Sequence, residues 1–153
     1  MTHIIQFLSL FLLMLVTGIF WGPWFALSRA MRVFNVDEFI HIAKTMAANL
    51  GLLMRILMPA CIFVMGLSIY VYPQKSSLGF YLNVASFVFI IISLVVTLLV
   101  ELPIVKRIVQ WTASDIPSDW ESIRDRWVQF HVYRVLSAFA AFAALSASIL
   151  FLH

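Results

Sequence analysis

A carboxylate, an imidazole and two guanidiniums stand where a chain this apolar has least reason to carry them. Glu101, His131, Arg55 and Arg134 each lie at the edge of a long apolar run. An acid and an imidazole in that setting suit proton transfer, and a guanidinium suits a developing oxyanion. Glu101 and His131 are therefore the catalytic candidates. His131 also has the ligand chemistry for a metal or a haem, with His41 as a second imidazole. The structural alternatives are a hydrogen-bonded interfacial histidine and arginines whose stems snorkel to the membrane surface. No HxxxH, CxxC or acidic spacing marks a metal site, and no metal is assigned. Nucleotide loops and nucleophile elbows are absent from the sequence too. The cofactor stays open, with haem or a quinone as the groups this chemistry admits.

Spacing groups these residues with others. Trp120, Arg124, Trp127, His131 and Arg134 recur at intervals of four, three, four and three, which sets all five on one helical face. The face continues through Ala138 and Ala141, small residues suited to close helix packing. The stripe is expected to point into a bundle. His41, Lys44, Ala48, Gly51 and Arg55 share a face of an earlier helix in the same way. Trp24, Trp111, Trp120 and Trp127 are candidates for a substrate wall, and Arg55, Arg124 and Arg134 for binding an anionic group. The competing role for the Trp residues is anchoring at the membrane interface. An intramembrane charge costs about 2.5–3.5 kcal/mol on insertion scales and usually pairs. Glu101 is expected to pair with Arg55 or Arg134.

The elements that must position them are legible from composition. Apolar residues make up 63% of the 153 and charged residues 11%, against roughly 45–50% and 25% in soluble domains. Mean hydropathy is +1.02. Four apolar runs, about 4–27, 50–72, 80–100 and 132–152, match the roughly 20 helical residues that cross a bilayer core. Helices are required, because lipid leaves no open backbone satisfied. The fold class is an all-α membrane protein: one domain, 1–153, an antiparallel four-helix transmembrane bundle with helical cytoplasmic extensions. The first run has no Lys or Arg ahead of it and no small-x-small cleavage site, so it is read as a span. Cys61 reads as a small core residue.

Nine of the ten Lys and Arg fall in or beside the first and third connections. The positive-inside rule puts those connections in the cytoplasm and both termini outside. The net charge of +3 is thus a topology signal, and no nucleic-acid partner is indicated. Gly22 and Pro23 predict a kink or break. Asn35 and Glu38 have capping-box spacing, as do Ser118 and Glu121. They predict helices running from there into the second and fourth spans. Pro59 interrupts the second span, residues 72–79 form a short turn, and Pro103 should bend the third helix near Glu101. His3 and His153 read as solvated termini.

These stretches resemble a family of small four-span membrane proteins that includes the fungal anthrone oxygenases. In that family the third span ends in an Asn-x-Pro-x-Asn-like motif. A Trp-containing loop follows, then a helix with a Trp-x-x-Trp-Asn-x-x-Arg-like pattern. The matching segments here are VELPIVKRIVQW and DRWVQFHVYRVLSAFAAFAAL, with Pro103, Trp111, Trp127 and Arg134 on the pattern. Glu101 and Val105 stand at the two Asn positions of the first motif. His131 stands where an Asn is common, and Phe130 replaces a Trp. The resemblance implies an oxygenase or oxidoreductase acting on a lipophilic aromatic or quinone-like molecule. Two further readings remain beside it. One is a non-catalytic module that binds lipid or a lipophilic small molecule in the bilayer. The other is an accessory subunit whose Ala-rich last span packs on a second copy or a partner helix.

Overall fold

The computed structural model describes residues 2–112 and 115–150. Ala113 and Ser114 of the third connection, Phe151 and Leu152 of the last expected span, and His153 lie outside the described residues. Every regular element among the described residues is helical. Helix α1 (Thr2–Ala26) is followed by a 3-10 turn (Ser28–Ala30), then α2 (Val36–Tyr70) and α3 (Leu78–Val96). A π-helical turn (Thr97–Glu101) leads into α4 (Leu102–Gln110), and α5 (Trp120–Leu150) completes the chain. Among the described residues four stretches are long and apolar enough to cross a membrane: Thr2–Ala30, Val36–Tyr70, Leu78–Gln110 and Trp120–Leu150.

Local chemistry explains the boundaries. Asn35 caps α2 by accepting from the Glu38 N–H at 3.0 Å, while the Glu38 carboxylate accepts from the Asn35 N–H at 2.9 Å. Ser77 caps α3 by accepting from the Phe80 N–H. Pro23 does not break α1, which runs three residues further. A proline in the last turn removes only one intrahelical bond. Pro59 likewise lies inside an unbroken α2. At Pro103 the adjustment is the wider turn, in which the Leu102 N–H bonds the Thr97 carbonyl. Pro103 has no N–H for the Leu99 carbonyl, and a π turn is a common accommodation. Helix α5 begins at Trp120, where the Asp119 carbonyl accepts from the Ile123 N–H at 3.2 Å; the Ser118–Glu121 capping box does not form among the described residues.

Helices α1, α2, α3 and α5 form the bundle, with α5 closing it between α3 and α1. The α3–α5 seam runs antiparallel with a seven-residue step. Ser148 donates to the Gly79 carbonyl, Ser86 to Ala141 and Ser93 to Arg134, at 2.6, 2.7 and 3.1 Å. A seven-residue repeat is the signature of left-handed packing at a shallow crossing angle. The apolar core between the helices includes Leu13, Phe20, Met58, Ile90, Val135 and Leu145.

Helix α2 has 35 residues, about 52 Å at 1.5 Å per residue, against a bilayer core of about 30 Å. Its first turns therefore extend past the core. There α2, α4 and the start of α5 build a second core around Phe39, Ile108, Trp111 and Trp127. This cap anchors the basic end of the bundle.

Candidate functional site

Four groups from three elements meet where the cap joins the bundle. Glu101 ends the π turn and is 3% exposed; His131, on the inward stripe of α5, is 2% exposed. Arg134 lies one turn further along α5, and Phe20 comes from α1. The Glu101 carboxylate reaches Arg134, with Oε2 3.6 Å from Nη2. That distance makes an ion pair and is too long for a hydrogen bond. The same Nη2 donates to His131 Nδ1 at 2.6 Å. On the far side of the ring, Nε2 lies 3.1 Å from the Phe20 carbonyl.

The partners assign the tautomer. A guanidinium only donates and a carbonyl only accepts. Nδ1 is therefore the acceptor, Nε2–H the donor, and the ring neutral. Arg134 is held from a third direction by the Phe20 ring, whose centroid lies 4.4 Å from Cζ. That is a close cation–π contact. Ser93 adds a bond to the Arg134 carbonyl.

Three buried polar atoms here have no protein hydrogen-bond partner: Glu101 Oε1, Trp127 Nε1 and Arg134 Nε. Glu101 Oε1 lies 4.0 Å from His131 Nδ1. The Trp127 indole approaches the same carboxylate without closing a hydrogen bond. The cluster thus contains one buried carboxylate oxygen and two buried N–H donors that no protein group satisfies. Among the described residues no group of three or more His, Cys, Asp or Glu converges to hold a metal.

The stripe on α5 points inward, with Arg124, Trp127, His131, Ala138 and Ala141 buried. Its members separate by depth. Glu101 pairs with Arg134 and not with Arg55. The face of α2 shared by His41, Ala48 and Arg55 is exposed. Arg55 makes no ion pair among the described residues, and His41 does not face His131. Phe39, Ile40 and Ala43 take the inward side of that helix, because burying apolar area outweighs burying lone charges. Lys44, from the same set, donates to the Trp111 carbonyl.

Arg124 belongs to the cap. It bonds Asp125 at 3.0 Å and lies 5.0 Å from the Trp120 ring centroid. Trp111, Trp120 and Trp127 surround Phe39 at centroid distances of 6.4, 6.0 and 5.8 Å. They form the cap core, and only Trp127 also borders the ionic cluster. Trp24 lines a surface groove beside the cluster. Phe20 was missed, because one Phe among fourteen offers no sign that its carbonyl and ring will be used.

A second polar layer, also missed, lies at the opposite end. Asn83 donates to the Ser68 hydroxyl at 2.7 Å, and the Tyr72 hydroxyl donates to the Ser148 carbonyl at 3.3 Å. Gln6 is 1% exposed, with both amide atoms unpartnered. A signal existed: Gln6 and Asn83 are the only amide side chains inside the apolar runs.

Fold and site together define a small four-helix membrane protein with a buried ionic cluster at one end. A family model described as anthrone oxygenase matches residues 46–144, well over half of the chain, and the chain belongs to the anthrone oxygenase family. The match takes in Glu101, His131 and Arg134; Phe20 lies outside it. No curated protein and no solved structure matches the chain.

Proposed function

We propose that this protein is a membrane-embedded oxidoreductase or oxygenase acting on a lipophilic aromatic or quinone-like molecule, with Glu101 as proton acceptor. The observation that carries the reading is the Glu101 carboxylate, 3% exposed, paired with Arg134 and keeping Oε1 unpartnered. A proton passes from an acidic C–H or O–H of the substrate to Oε1. The electron pair stays on the substrate as an oxyanion facing Arg134 and the Trp127 indole N–H. Where a methylene becomes a carbonyl, dioxygen is the oxidant: one oxygen atom enters the product and the other leaves as water. Both nitrogens of His131 are engaged in the resting arrangement, so its role is to position Arg134. By the positive-inside rule the cluster faces the cytoplasm and both termini lie outside. Membership of the anthrone oxygenase family supports the substrate class.

The test uses the full chain in lipid nanodiscs with anthrone in aerated buffer. Oxygen uptake and anthraquinone formation are followed together. The protein should exceed the protein-free rate, and Glu101→Gln should lower its rate by about 100-fold or more, the usual worth of a positioned base. No product above the protein-free rate, across a panel of aromatic substrates, would sink the reading.

A second reading, binding without chemistry, is favoured by one observation: two open grooves at this end lie beside the cluster, and neither is lined by Glu101 or His131. Saturable anthrone binding with no turnover selects it. A second copy or partner helix on the last span would meet the face carrying Leu136 and Phe139, since Ala138 and Ala141 are buried within the chain.

A further inference from the structure

Beside the ionic cluster runs a groove that proton transfer does not use. The end of α1 and the turn after it form one wall, with Trp24, Ser28, Arg29 and Arg32. Asp125, Val128 and Val132 of α5 form the other, around a cavity of about 270 Å³. It shares Arg32, Asp125 and Val128 with a wider cleft of about 670 Å³ that adds Arg126. We propose that this groove binds an anionic phospholipid. Arg29 and Arg126 hold its phosphate, and an acyl chain lies along Trp24, Val128 and Val132.

Charge, depth and shape argue for it. The only carboxylate among the described lining residues is already matched: Asp125 bonds Arg32 at 3.1 Å and Arg124 at 3.0 Å. Arg29 and Arg126 are exposed and make no ion pair among the described residues. Each is instead steadied over an aromatic ring, Arg29 over Phe25 at 5.3 Å and Arg126 over Phe130 at 5.8 Å. Two unmatched guanidiniums flanking a closed ion pair leave a net positive groove that a phosphate complements. The depth is right for a headgroup. Helix α1 has 25 residues, about 37 Å at 1.5 Å per residue, so its last turn clears a core of about 30 Å. Trp24, Val128 and Val132 then descend from that level along both walls, in the direction an acyl chain takes.

The proposal stands apart from the oxygenase reading, because lipid retention is measured without turnover. Detergent-solubilised full-length protein is titrated with dioctanoyl phosphatidylglycerol and dioctanoyl phosphatidylcholine, and adducts are counted by native mass spectrometry. Two double variants are compared: R29Q/R126Q in the groove and K106Q/R107Q on the exposed face of α4. Inorganic phosphate is added as a competitor. The expected result is saturable phosphatidylglycerol binding, not displaced by phosphate, that R29Q/R126Q weakens about thirtyfold, the combined worth of two interfacial guanidiniums. K106Q/R107Q should retain it. Equal binding of the two lipids, equal loss in both double variants, or displacement by free phosphate would each overturn the proposal. All four substituted side chains are exposed, so loss of folding does not confound the comparison.

Discussion

At the basic end of the bundle Glu101 and Arg134 pair through charge with a neutral His131 bonded to the guanidinium, whereas at the other end Ser68, Asn83, Tyr72 and Ser148 are joined by neutral hydrogen bonds. Both layers sit in a buried interior, yet they tolerate change differently. The charged layer contains one anion and one cation that compensate each other. Removing either leaves the other buried alone, which costs far more than the pair contributes. In the neutral layer most donors are hydroxyls that find a carbonyl or hydroxyl nearby. There a deletion leaves one unsatisfied dipole. The ionic layer is thus specific and fragile, and the neutral one is a set of separable contacts.

The largest test of that difference is Arg134→Met. It strands Glu101 and should cost about 3–5 kcal/mol of stability, read as a lower midpoint of denaturant unfolding in detergent. The double variant Glu101→Leu/Arg134→Met should recover most of the loss. If the double variant is as unstable as the single, charge compensation does not hold this layer.

Asn83→Leu comes next, at about 1–3 kcal/mol, because Ser68 loses its donor in a sealed interior. A loss as large as that of Arg134→Met would erase the distinction between the layers. Ser86→Ala should cost only about 0.6 kcal/mol, the average for interhelical bonds measured in a membrane bundle. Thermal melts of the two proteins side by side resolve the order. Gln6→Leu is the smallest expected effect. It removes two amide atoms that have no protein partner, so the melting midpoint should stay level or rise. A marked fall would mean that Gln6 is held by a group the neutral layer has yet to reveal.

Much of this was readable from particular residues. The capping box at Asn35 and Glu38 needs only local chemistry, and it forms as its spacing predicts. Glu101 needs an arginine because a lone charge is expensive in lipid, and Arg134 meets it. The inward stripe on α5 followed from helical period, reinforced by Ala138 and Ala141. The same logic failed on α2. Period says that His41, Lys44 and Arg55 share a face, but not which way the face turns. Phe39, Ile40 and Ala43 decided that by packing under the cap. The serine ladder along Gly79, Ser86 and Ser93 was present as a seven-residue interval, but its meaning depends on the register of α5.

The sequence by itself determined four apolar helices, the cap of the second, the end that carries the charge, and the need for Glu101 to be paired. These follow from transfer free energies and local hydrogen bonds, which act over a few residues. Only the tertiary structure decided that the partner is Arg134, that His131 is locked between a guanidinium and the Phe20 carbonyl, and that Arg55 turns away. Those outcomes depend on which helices are neighbours and at what rotation. A backbone carbonyl on α1 carries no mark in the sequence until α5 packs against it.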